Sequence, residues 1–150
     1  MSEKNPIRLF VTHAWADSED YGRVFEFLES SPNFFYRSFA AIDGRPADNV
    51  EVQRDALRSQ IRPVELVVAT AGLLRAHSSL LVFQMTFAQS CRKPVLLLPE
   101  FGTPAQVPKG VRDLATEMVE WDERALVSAI RRLARGEQTG QWDIVEFTLD

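Results

Sequence analysis

Gln84 is the residue whose type and place most call for a chemical explanation. Leu80 lies at i−4, Phe87 at i+3 and Ala88 at i+4, so the amide shares a helical stripe with apolar side chains. Burying an amide there costs about 1–3 kcal/mol unless a partner satisfies it. A polar side chain kept on such a stripe, close to the carboxyl end of a strand, points to a site. Two histidines, His13 and His77, fall at the same sheet edge, and so does Trp15. No further Cys, His or carboxylate stands at a familiar ligand spacing, so the pair does not make a metal site. Cys91 continues the stripe 84, 87, 88, 91 and reads as a packed core thiol. Other chemistries fail on residues: there is no G-x-S-x-G elbow, no Walker A loop and no G-x-G-x-x-G after the first strand. A phospho-receiver would need acidic residues after strand one and an Asp ending strand three, where Thr12-His13 and Thr70 stand.

The elements that must position these residues follow from periodicity. Ile7 to Thr12 reads as a first strand. Tyr21, Val24, Phe25 and Leu28 form a helix stripe, with Asp17 or Ser18 as its cap. Phe34 to Phe39 is aromatic and β-prone, a second strand. A polar loop over 40–49 turns at Asp43-Gly44, and Val50, Arg54, Leu57 and Ile61 mark a second helix. Val64–Leu98 reads as strand, crossover helix and parallel strand, with Ser78 or Ser79 as helix cap and Pro94 opening the next strand. Residues 101–108, with two prolines and a glycine, form a loop, and Glu117 to Trp121 a short fifth strand. Asp122 caps a last helix whose Leu126, Ala129, Ile130 and Leu133 share a face, and Gly136 stops it.

That alternation predicts an α/β, flavodoxin-like open sheet of five parallel strands with helices on both faces. Residues 1–6 are an N-terminal extension, 7–135 the domain, and 136–150 a tail whose Ile144, Val145 and Phe147 are placed to dock on the body. Ligands of such sheets bind beyond the carboxyl ends of the strands, at the switch in strand order. Three segments converge there: Thr12–Trp15, Phe39–Gly44 and Gly72–Gln84. Trp15 suits two roles equally, stacking on a flat heterocycle or capping the end of the sheet.

With 150 residues and 45% hydrophobic content, the chain suits one domain with a real core. A net charge of −4 and a pI near 5.3 argue against a nucleic-acid surface. Arg124, Arg131, Arg132 and Arg135 gather near the end of one helix, where solvation and the helix dipole account for them. One cysteine allows no internal disulfide and fits a reducing compartment. The first residues lack an apolar leader core, and no run nears the ~20 apolar residues of a membrane span. The expected location is cytoplasmic, with no membrane partner.

Four segments together carry a family likeness: Leu9-Phe-Val-Thr-His-Ala-Trp15 with Asp-Ser-Glu-Asp-Tyr21, Phe35-Tyr-Arg-Ser-Phe39, Leu66-Val-Val-Ala-Thr-Ala-Gly72, and His77-Ser-Ser-Leu-Leu-Val-Phe-Gln-Met-Thr-Phe-Ala88 running into Lys93-Pro-Val. In order and spacing the chain resembles a bacterial TIR-like domain, the signal-producing component of Thoeris antiphage systems, over about residues 7–135. The resemblance implies an enzyme that breaks the nicotinamide–ribose bond of NAD⁺ and makes an ADP-ribose-derived signal nucleotide. NAD⁺ would be substrate, so no dedicated cofactor follows. A separate messenger-sensing effector and homo-oligomeric assembly are the implied partners. The family's helix pattern Ser-x-Trp-x-x-x-Glu-x-x-x-Ala falls on Ser78, Leu80, Gln84 and Ala88. Leu80 replaces the common Trp, and Gln84 occupies the catalytic-Glu position. Thr12, His13, Trp15, Phe39 and Ser78 become the candidate substrate-binding wall, with Trp15 stacking and His13 contacting phosphate or ribose.

The change at 84 bears on the chemistry. Loss of nicotinamide leaves an oxocarbenium-like ribose, cationic at C1′, which a carboxylate opposes. Glutamine keeps the shape and some hydrogen bonding but not the charge, and loss of one preorganised electrostatic group commonly lowers rate about 10²–10³-fold. The chain as written is therefore expected to be inactive or to trap substrate, as an introduced Glu-to-Gln exchange would, and Gln84→Glu is expected to raise NAD⁺ cleavage. Two alternatives stand beside it: a non-catalytic TIR-like interaction and assembly module, and a nucleoside deoxyribosyltransferase-like enzyme.

Overall fold

The three inner strands alternate their apolar side chains between two layers, and that alternation sets the architecture. Ile7, Leu9, Val11, Leu66, Val68, Leu96 and Leu98 point into one layer; Phe10, Val67, Ala69, Val95 and Leu97 point into the other. The computed structural model describes residues 1–46, 48–103 and 106–137. Its elements are β1 (Ile7–Val11), α1 (Glu19–Glu29), β2 (Tyr36–Ser38), α2 (Val50–Ile61), β3 (Leu66–Thr70), α3 (Leu74–Ser90, entered through a 3₁₀ turn at Ala71–Leu73), β4 (Val95–Leu98), α4 (Lys109–Arg112), β5 (Glu117–Met118) and α5 (Glu123–Arg135). The strands form one all-parallel sheet in the order β2-β1-β3-β4-β5. This is the open, five-stranded, flavodoxin-like α/β arrangement that the alternation of elements predicts. The strand order reverses between β1 and β3. Helices α1 and α5 cover the first layer, and α2 and α3 the second. Every residue of β3 is buried, because the strand lies mid-sheet with helices on both faces.

Caps form where the sequence provides them. Ser18 accepts the Tyr21 amide at the start of α1, and Asp122 accepts that of Ala125 at the start of α5. Gly136 closes α5 with φ of 67°.

Several expectations need correction. The edge strands are shorter than the patterning suggests: β2 is three residues and β5 two, because each pairs on one side only. On α2 the buried residues are Gln53, Leu57 and Ile61, while Val50 is 62% exposed. Helix α3 starts at Leu74, ahead of Ser78 and Ser79, and bends at His77, whose φ and ψ are −138° and 44°. Its buried stripe is Leu81, Gln84, Met85 and Ala88, so Leu80 and Phe87 are only half-buried. Cys91 is no core thiol: it is a half-buried residue at the C-terminal cap of α3. Helix α4 has no counterpart in the periodicity analysis. The first residues are tied to the end of α5, with the Met1 amino group 2.6 Å from Glu137. Ile144, Val145 and Phe147 of the tail lie outside the described residues.

Candidate functional site

Beyond the last residue of β1 the chain keeps hydrogen bonding as a strand would. The Thr12 amide donates to Val68 O at 2.9 Å, and Thr12 Oγ1 accepts the Thr70 amide at 3.1 Å. At His13 the neighbouring strand has ended, and Gln84 takes its place. The His13 amide donates to Gln84 Oε1 at 3.0 Å, and Gln84 Nε2 donates to His13 O at 3.0 Å and to Leu80 O at 2.9 Å. Both amide hydrogens and the carbonyl oxygen are thus engaged, in a side chain with no solvent exposure.

The His13 ring is equally committed. Nδ1 accepts the Trp15 amide at 3.0 Å, so the ring hydrogen belongs on Nε2, which donates to Gln60 Oε1 at 2.9 Å. That same oxygen accepts the Ala41 amide at 2.9 Å. Burial holds the His13 pKa below the ordinary histidine value, with the Gln60 hydrogen bond opposing it. His13 therefore sits as a neutral ring joining β1, α2 and the loop after β2.

Trp15 packs its half-buried ring edge-on against His13, centroids 5.2 Å apart, in the layer that also receives Phe39. Its backbone φ of 56° is in the left-handed region, uncommon for a bulky residue. The Arg37 guanidinium lies 4.7 Å from the Phe39 ring centroid. Ser78 stands apart from these residues. It is exposed and lines a groove of about 450 Å³ with Arg54, Val82 and Phe83. The structure thus brings Thr12, His13, Trp15, Phe39 and Gln84 to one region and leaves Ser78 on a helix face.

A different cavity, of about 280 Å³, opens at the switch between β1 and β3. It is lined by Asp20 and Arg23 from α1, Gly72, Arg75 and His77 from the β3–α3 passage, and Glu100 and Phe101 after β4, among others. Its charges are paired: Arg75 Nε bonds both Glu100 oxygens at 2.9 and 2.7 Å, and Arg23 meets Asp20 at 3.1 Å. The Arg75 bond holds the Glu100 carboxyl below its usual range. The Arg23 guanidinium lies 3.9 Å over the Phe101 ring, and the Phe101 amide donates to Asp20 Oδ2 at 3.3 Å. Gln84 does not line this cavity. Sequence reasoning placed Gly72 and His77 at this edge but missed Asp20, Arg23, Glu100 and Phe101, whose partners are distant in sequence. Among the described residues, no three His, Cys, Asp or Glu side chains gather so as to hold a metal ion.

No protein-family model matches the chain, and no curated protein matches it. Solved structures with a related layout include the CMP N-glycosidase of Clostridium botulinum, at 16% identity over 82% of this chain and 97% of that one, with a TM-score of 0.47. A 3-dehydroquinate dehydratase-like protein from Bifidobacterium longum is 11% identical over 89% of this chain and 96% of that one, with a TM-score of 0.46. Likenesses of this strength carry no inference about activity.

Proposed function

We propose that this chain is a TIR-like module that does not itself cleave NAD⁺ and acts by assembly. The observation that carries the reading is the closed hydrogen bonding of Gln84, which occupies the position of the family's catalytic Glu. Its amide is sealed and satisfied by the backbone of His13 and Leu80, so it offers no group to a sugar. A glutamate there would still accept the His13 amide but would set its second oxygen against two carbonyls. The residue is therefore suited to hold the β1–α1 connection, and the parallel sheet and the resemblance along residues 7–135 support the rest. A place in an antiphage system of the Thoeris kind follows from that resemblance.

The test is nicotinamide release from NAD⁺, followed by chromatography over a range of protein concentrations, with light scattering on the same samples. Neither the chain nor Gln84→Glu is expected to release nicotinamide, and the mass is expected to rise with concentration. Release by either form, or a monomer at every concentration, overturns the reading.

The second reading is an enzyme of nicotinamide–ribose cleavage that needs only Glu at position 84. It draws on the resemblance at position 84 and not on the 280 Å³ cavity at the switch point, which Gln84 does not line. Cleavage by Gln84→Glu alone would favour it.

A further inference from the structure

We infer that two copies of this chain pair through α2 in an antiparallel, two-fold contact, flanked by the groove between α2 and α3. The inference rests on the reading that the chain acts by assembly, and it names the surface that assembles.

The charge pattern of α2 is its own complement. Glu51, Arg54, Asp55 and Arg58 run minus, plus, minus, plus, and read backwards they give the opposite sign at every place. With the two-fold axis between Arg54 and Asp55 of antiparallel helices, Glu51 meets the partner's Arg58 and Arg54 meets the partner's Asp55. The symmetry makes each pair twice. Parallel helices in the same register would set like charge on like, and their dipoles would also repel.

The four side chains are placed for this. At 3.6 residues per turn they share one flank of α2, beside the buried Gln53, Leu57 and Ile61. That flank faces α3, because the guanidinium carbons of Arg54 and Arg58 lie 5.1 and 5.2 Å from the Phe83 centroid. Within one chain the charges form a loose network: Arg54 and Arg58 lie 3.9 and 4.0 Å from Glu51, and Arg58 pairs with Asp55. The Glu51 and Asp55 side chains stay 65% and 72% exposed, so each carboxylate has lone pairs open to a second guanidinium.

The groove supplies what charge alone does not. Exposed ion pairs contribute little singly, so a contact between copies also needs apolar cover. The groove of about 450 Å³ is lined by Ser78, Ser79, Val82, Phe83 and Thr86 from α3 beside Arg54. Val82 is 38% exposed, and the Phe83 ring is half-buried. The small serines let a second chain approach, and the contact covers Val82 and the open edge of Phe83. The association is accordingly weak, dependent on protein concentration and sensitive to salt.

The test is sedimentation velocity over a range of concentrations on the full chain and on Glu51→Arg and Arg58→Glu, neither of which touches the Gln84 clamp. The parent is expected to pass from monomer to dimer as concentration rises, and to return toward monomer in about 1 M salt, where the screening length is about 3 Å. Each variant alone turns two attractive pairs into two repulsive ones and is expected to weaken the dimer about tenfold. An equimolar mixture of the two variants is expected to regain the dimer, because position 51 of each then opposes a charge of the other sign at position 58 of its partner. The double variant carrying both exchanges is expected to dimerise alone for the same reason. A role confined to one helix gives no rescue on mixing. A parent dimer that neither single variant weakens, or a weakening that neither the mixture nor the double variant reverses, overturns this contact and leaves assembly standing. A parent that is monomeric at every concentration overturns both.

Discussion

The carboxamide of Gln84 meets the backbone of His13 as a neighbouring strand would, accepting its N–H and donating to its C=O, both at 3.0 Å. The side chain extends the sheet by one residue past the end of β1 and fixes the exit of the loop that carries Trp15. Gln84→Leu leaves the His13 amide and carbonyl unpaired in a dry site and removes the bond to the Leu80 carbonyl, at about 1–3 kcal/mol for each unsatisfied group. A domain of this size loses about 2–4 °C in Tm per kcal/mol, so a drop of several degrees is expected by calorimetry. An unchanged Tm would show that the clamp is dispensable.

Gln84→Glu differs in its dependence on pH. Burial and the two facing carbonyls favour the protonated acid, so the folded-state pKa is expected to lie above the unfolded value. The folded form then binds the proton more tightly, and stability declines as pH rises from about 4 toward neutrality. Urea denaturation across that range is expected to show a stability difference from the parent that widens with pH. A difference that stays flat would mean that the carboxyl finds a compensating donor.

His13 works in the opposite sense. Burial lowers its pKa in the folded state, and the ring accepts the Trp15 amide only when Nδ1 is unprotonated. Below the unfolded value of about 6.5, the unfolded chain takes up a proton that the folded one refuses. The stability supplied by the neutral ring is present above that pH and is lost as pH falls through it. Unfolding at pH 7.5 and 5.5 is expected to show a loss in the parent that shrinks in His13→Gln. Equal losses in both would take His13 out of the acid response.

Much of this arrangement was legible in the sequence, for reasons that separate what was read from what was not. β3 and β4 are continuous apolar runs because helices cover both sides of the sheet, and Ser18, Asp122 and Gly136 are local signals whose meaning does not need a fold. Gln84 stood out because an amide on a buried stripe requires a partner. Its partner, the backbone of His13, is 71 residues away and could not be read. The same limit hid the cavity: Asp20 with Phe101 and Arg75 with Glu100 pair across elements, with no periodicity to announce them. Ser78 was misplaced because α3 begins four residues earlier and turns at His77, which rotates the serines outward onto the α2–α3 face.

At the switch-point cavity, Gly72 is the residue whose size matters. A Cβ built there would stand 3.0 Å from Asp20 Oδ2. Asp20 receives both the Arg23 guanidinium and the Phe101 amide, so it cannot move without loosening the rim. Gly72→Ala is expected to shift the Phe101 amide and Arg23 side-chain signals while leaving those of His13 and Gln84 in place. If the Gln84 side-chain amide moves as well, the cavity and the Gln84 clamp are one coupled unit.

Arg135 anchors the last helix to the amino edge of the sheet, and a lysine cannot replace it. Its guanidinium bonds both oxygens of Glu65 at 2.6 and 2.8 Å and reaches the carbonyls of Asn5 and Pro6, each at 2.9 Å. A fork of fixed planar donors is required for this, whereas an ammonium is a single point charge. The Arg135 bond is the leading cause that holds the Glu65 carboxyl below its usual range, with burial acting against it and Arg8 adding to it. A carboxylate of depressed pKa contributes stability above its unfolded value, and that contribution is lost as pH falls through the folded one. Arg135→Lys is therefore expected to raise the Glu65 titration midpoint, read from its carboxyl carbon by NMR. It should also lower stability at neutral pH by about 1.5–3 kcal/mol, the range for a hydrogen bond to a charged group. At a pH where Glu65 is protonated in both proteins, the gap should narrow, because the charge that Arg135 answers is gone. A gap that persists unchanged into acid would mean that the carbonyls of Asn5 and Pro6, not Glu65, are what the guanidinium holds.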